Sequence, residues 1–92
     1  MGRRSLADQF FDYYREEEPG ELACVVFYDF EKMKPSKRFY HNLTRTMVLA
    51  GDGIMIQYSC FMTQDQRAAR TLRDLVLHYG GKVILFRGEQ FD

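Results

Sequence analysis

The strongest constraint on this chain is a nearly unbroken apolar run from Leu22 to Phe30, interrupted near its end by a single carboxylate, Asp29. Its centre, Cys24-Val25-Val26-Phe27-Tyr28, is rich in β-branched and aromatic residues, which suits a central strand covered on at least one face. Two similar runs follow, from Ile54 to Met62 and from Lys82 to Arg87. Helical spacing lies between them. Phe39, Leu43, Met47 and Ala50, joined by Tyr40, make one apolar stripe, and Ala68, Ala69, Leu72, Leu75, Val76 and Tyr79 make another. Pro35 reads as the first residue of the first of these helices, and Gly51-Asp52-Gly53 stops it. Thr63-Gln64-Asp65-Gln66 reads as a capping box opening the second, which Gly80-Gly81 closes. The order is therefore β-α-β-α-β, with a long middle strand region.

Two architectures fit this order. If the middle region folds into two strand pieces, the result is βαββαβ, a ferredoxin-like α+β sandwich. If it stays whole, three parallel strands make a minimal doubly wound sheet. Three strands and two helices form a poor core in a chain of 92 residues, so the sandwich is the expectation. No residues typical of a hairpin turn stand between Ile54 and Met62. In the sandwich both helices cover one face of the sheet and leave the other free for a partner. Ahead of this domain, residues 22–92, residues 1–21 read as a helical extension. Ser5 is its N-cap with Asp8 three residues on, Leu6, Phe10, Tyr13 and Tyr14 recur at helical spacing, and Pro19-Gly20 ends it.

Apolar residues make up 46% of the chain and aromatics 15%, the composition of a packed globule rather than a disordered chain. No apolar stretch approaches the ~18 residues that span a bilayer, and Met1-Gly2-Arg3-Arg4-Ser5 has no apolar core behind it, so neither a membrane span nor a secretory signal is expected. Cys24 and Cys60 fall inside strands and read as buried thiols of a cytoplasmic protein. His41 and His78 have no Cys or His at ligand spacing, which argues against zinc.

The net charge of zero argues against a generic nucleic-acid binder, but the charge is unevenly spread. Residues 1–21 hold three cations against six acids, a net charge of −3, and the remaining chain carries +3. Lys32, Lys34, Lys37, Arg38 and Arg45 crowd the loop after the first strand and the helix behind it. Arg67, Arg70 and Arg73 recur at three-residue spacing on the polar side of the second helix. Both groups would track phosphates along a duplex. The plainer readings are solvated helix faces, or an intramolecular screen between these cations and the N-terminal acids. Phe27, Tyr28 and Tyr58 on strands leave open a third route, stacking of single-stranded RNA bases on a sheet.

Three segments carry a resemblance. Val25-Val26-Phe27-Tyr28-Asp29-Phe30 resembles the strand ending in Tyr-Asp of the small CRISPR-associated spacer-acquisition proteins, ferredoxin-like dimers that pair with the acquisition integrase. Gly53-Ile54-Met55-Ile56-Gln57-Tyr58-Ser59-Cys60-Phe61 resembles that family's glycine-led strand, and Val83-Ile84-Leu85-Phe86-Arg87 is placed like its last strand. The chain departs from the family pattern in the residues before its first strand, in the direct run from Phe61 through Met62 into the second helix, and in lysines where the family loop is often arginine-rich.

The resemblance implies a homodimer in which Asp29 and its symmetry mate share a Mg²⁺ ion, with Ser59 and Phe61 near the same cleft. It also implies the acquisition integrase as a partner. Two mechanisms follow: an adaptor that holds duplex DNA, and a metal-dependent endonuclease, acting on RNA or DNA, that uses Asp29. From the residues alone, Asp29 reads equally as a strand-end carboxylate capping the following loop, and the domain as a protein-interaction or sensing module without nucleic-acid affinity.

Overall fold

The computed structural model describes residues 4–31 and 34–91. Helix α1 (Leu6–Tyr14) is followed by strand β1 (Ala23–Asp29), helix α2 (Lys37–Ala50), strands β2 (Ile54–Gln57) and β3 (Cys60–Thr63), helix α3 (Gln66–His78) and strand β4 (Lys82–Gly88). The strands form one antiparallel sheet in the order β2-β3-β1-β4. This α+β architecture is consistent with a ferredoxin-like arrangement carrying one added helix, α1, and it excludes the alternative of three parallel strands.

The middle strand region divides at Tyr58-Ser59. Gln57 pairs with Cys60, and the register shifts between Met55 and Gln57. Ser59 makes the turn with φ 66°, in the left-handed region where serine is uncommon. Its carbonyl accepts a hydrogen bond from the Tyr28 N–H at 3.0 Å, which ties the turn to β1. The turn carries no glycine or asparagine, so turn chemistry in the sequence does not reveal it.

Alternation along β1 sorts the sheet into two faces. Cys24, Val26 and Tyr28 point into a core that they share with Phe39 and Leu43 of α2 and Ala69, Leu72, Leu75 and Val76 of α3. Four aromatics, Tyr28, Phe30, Phe39 and Tyr79, meet edge-on within it, the closest pair being Phe30 and Phe39 at 4.9 Å between centroids. Gly53 follows from the same packing, because a Cβ there would stand 2.5 Å from Phe61 Cζ. Cys24 and Cys60 are buried free thiols.

Several helix boundaries differ from expectation. Pro35 precedes α2, and Ser36 is its N-cap, its hydroxyl accepting from the Phe39 N–H. Thr63 ends β3, and the cap of α3 is Asp65, which accepts from the Arg67 N–H at 2.9 Å. The Thr63 hydroxyl instead accepts from Asp65 N–H and donates to Asp52, stapling the β3–α3 corner to the α2–β2 turn. Gly51, at φ 67°, closes α2 as expected.

Ser5 caps α1 as expected, accepting from the Asp8 N–H. Leu6 and Phe10 pack against the core as partly buried residues, but the fully buried residues of α1 are Ala7 and Phe11, and Tyr13 stays 80% exposed. Ala7 and Phe11, spaced i and i+4, seat the helix against α2 and α3, and the Ala7 N–H donates to Asn42 Oδ1 at 2.8 Å. No helix among the described residues is long and apolar enough to cross a membrane.

Candidate nucleic-acid interface

Among the described residues no helix lies over the second face of the sheet. Val25 and Phe27 of β1, Met62 of β3, Ile54 of β2, and Ile84 and Phe86 of β4 share it by register. Ile84 and Phe86 are about 60% exposed, and Phe27 meets Phe86 edge-on at 6.2 Å. A contiguous apolar patch across four strands marks an interaction surface on a small domain.

Asp29 lies at the rim of this face, exposed, opposite Lys82 in the β1–β4 register. Its Oδ1 accepts from the Glu31 N–H at 3.1 Å, the local capping contact of a strand-end aspartate. Lys82 Nζ meets Glu31 Oε1 at 2.6 Å. Asp29 thus stands in a small charged rim of two acids and one lysine. Among the described residues no group of three or more His, Cys, Asp or Glu side chains is placed to hold a metal. Asp29 is engaged by a backbone N–H and Glu31 by Lys82, which leaves few of the oxygens that Mg²⁺ requires. The donor set within one chain does not fit Mg²⁺.

Ser59 reaches the same end of the sheet, because its carbonyl pairs with Tyr28, the neighbour of Asp29. Phe61 does not. It pairs with Val26 on the core face, is fully buried, and packs against Gly53. Its place is in the core rather than beside any solvent-filled cleft.

The predicted cations fall into two sets. Lys34, Lys37 and Arg38 are exposed on the connection from β1 and the first turn of α2, beyond the end of the sheet that carries Asp29 and Ser59. Among the described residues these three enter no ion pair; Lys32 lies outside the described residues. The second set is engaged throughout. Arg45 pairs with Asp8 at 3.1 Å, Arg67 with Asp65 at 2.8 Å, Arg70 with Glu17 at 2.5 Å and Arg73 with Asp74 at 3.1 Å. The hydrogen bonds from Arg45 and from Ser5 hold the Asp8 carboxyl below its ordinary pKa. The Asp65 carboxylate, through its hydrogen bond, raises the pKa of Arg67. Three N-terminal contacts were not legible in the sequence: Tyr14 Oη to Asp74 at 2.5 Å, Arg67 to the Arg15 carbonyl, and Gln66 to the Glu18 carbonyl. They join residues 48 to 60 positions apart, and two of them use backbone oxygens that carry no sequence signal.

No family model matches the chain, and no curated protein or solved structure is matched by it.

Proposed function

We propose that this protein is a nucleic-acid-binding adaptor that works as a homodimer, with its open sheet face against a second copy and its β1–α2 end toward a duplex. The observation that carries this reading is the uncovered apolar face, beyond whose Asp29 end the connection to α2 and its first turn carry the exposed cations Lys34, Lys37 and Arg38.

The face suits a second copy because its rim is self-complementary. Asp29 and Lys82 sit side by side, so a two-fold axis near that rim lets Asp29 of one copy face Lys82 of the other, in exchange for or beside the exposed pair that Lys82 makes with Glu31. Pairing the two copies doubles the cation set into one longer stripe, which suits the regularly spaced phosphates of duplex DNA. The strand order β2-β3-β1-β4, with α2 and α3 on one face, supports the ferredoxin-like sandwich that the resemblance to the spacer-acquisition proteins implies. A role beside the acquisition integrase rests on that resemblance alone. The adaptor is preferred to the endonuclease because the donors around Asp29 are those of a capped strand end.

The test is binding of a short duplex DNA by wild type and by a Lys34→Gln, Lys37→Gln, Arg38→Gln variant across a salt series. Each lost phosphate contact lowers the slope of log K against log salt by about 0.9. The account expects a slope reduced by roughly 2 to 3 in the variant. An unchanged slope would remove the β1–α2 cations from the interface.

A further inference from the structure

The arginines Arg45, Arg67, Arg70 and Arg73 form a second basic surface; Arg67 and Arg73 pair with Asp65 and Asp74 beside them, while the chain's own N-terminal segment supplies the carboxylates of Arg45 and Arg70 and further contacts to Arg67, Arg70 and Arg73. Asp8 of α1 takes the Arg45 guanidinium through both carboxylate oxygens, at 3.1 to 3.3 Å. Glu17 takes Arg70, the Arg15 carbonyl takes Arg67 at 3.0 Å, and the Tyr14 hydroxyl takes Arg73 at 3.1 Å. Rings complete the contact. The Arg67 guanidinium lies over the Phe11 ring at 5.3 Å, and that of Arg70 over the Tyr14 ring at 5.8 Å.

An oxygen acceptor on the edge of a guanidinium and an aromatic ring on its face are the two contacts that a nucleic-acid strand offers, through phosphate and base. The segment that supplies them is also the acidic part of the chain, with a net charge of −3 over residues 1–21. We infer that the N-terminal segment masks a second polyanion-binding surface on α2 and α3, occupying the arginines as a nucleic-acid strand would. This rests on the nucleic-acid reading above and adds its regulation.

The two parts of the segment are held differently. Ala7 and Phe11 are buried and anchor α1. Residues 15–19, beyond the helix, hold α3 mainly by polar contacts, and the Arg70–Glu17 pair is more than 30% exposed on both sides. Exposed pairs are weak and are screened by salt. A phosphate backbone therefore competes first at Arg70, and α1 stays folded while it does so.

Glu17→Gln removes the masking carboxylate from a residue outside α1 and outside the core, so the fold is retained. Glu89→Gln makes the same change of net charge at an exposed site on the C-terminal side of β4. Each variant is titrated with a short duplex DNA over a salt series beside wild type, and thermal melts confirm that both are folded. Release of Arg70 adds one phosphate contact, so Glu17→Gln is expected to steepen the slope of log K against log salt by about 0.9 and to tighten binding severalfold at low salt. Glu89→Gln is expected to leave the slope unchanged, and adding Arg70→Gln to Glu17→Gln should restore the wild-type slope. Wild-type binding with the same slope in Glu17→Gln, or an equal gain in Glu89→Gln, overturns the mask and leaves the adaptor standing. Absence of binding by wild type and all variants overturns both. Binding by Glu17→Gln alone supports the mask in its strongest form.

Discussion

Ser59→Gly should stabilise this protein, although it removes a side chain. Ser59 sits at φ 66°, where an L-residue carries a steric cost of about 1–2 kcal/mol and glycine carries none. Glycine also frees the unfolded chain, which offsets about 0.5–1 kcal/mol of that gain. The hydroxyl has no hydrogen-bond partner among the described residues, and the contact that matters, Tyr28 N–H to the Ser59 carbonyl, is backbone and survives the change. The net expectation is a gain of about 0.5–1 kcal/mol, or about 2–8 °C in Tm for a domain of this size. Thermal denaturation followed by circular dichroism measures it directly. Ser59→Val, branched at Cβ, should shift Tm the other way. A Ser59→Gly melt at or below the wild-type temperature would refute the argument from backbone strain, and would mean that the serine side chain holds the turn.

Gly53→Ala should destabilise the fold by about 2–3 kcal/mol in urea titrations, because the new Cβ would stand 2.5 Å from the buried Phe61 ring at a φ of 144°. Burial pushes the Tyr28 phenol up to about 12 from its ordinary value of 10.0. The folded state therefore holds this proton more tightly than the unfolded chain does. Its contribution is complete below about pH 10 and is lost as pH rises through about 12, on the order of 2–3 kcal/mol in all. Tyr28→Phe should keep its stability across that range better than wild type, as denaturant midpoints at pH 8 and above pH 10 would reveal.

The order of elements was legible because three apolar runs and two 3.6-residue stripes alternate plainly along the chain. The hairpin between β2 and β3 was not, since its turn places a serine, not glycine or asparagine, in the left-handed region. The motif Thr63-x-x-Gln66 reads as a capping box with Thr63 as the cap of α3. Tertiary bonding to Asp52 draws Thr63 into β3 instead, and Asp65 takes the cap. Asp29 was readable as a strand-end acid, and its bond to the Glu31 N–H is the local contact such a position favours. The division of the cations into an exposed set and an engaged set depended on where α1 docks. That docking is decided by Ala7, Phe11 and a buried bond to Asn42, none of which stands out in the sequence.

The most direct test of the account is the mass of the complex formed with one short duplex DNA, measured by native mass spectrometry beside the same measurement on Phe86→Glu. Phe86 is 59% exposed on the open face, on edge strand β4 beside Phe27, so a buried glutamate pair there would split a sheet-to-sheet dimer without disturbing the core. The account predicts two wild-type chains on one duplex and loss of that species in Phe86→Glu. A single chain on the duplex, or a two-chain complex that Phe86→Glu leaves intact, would contradict it.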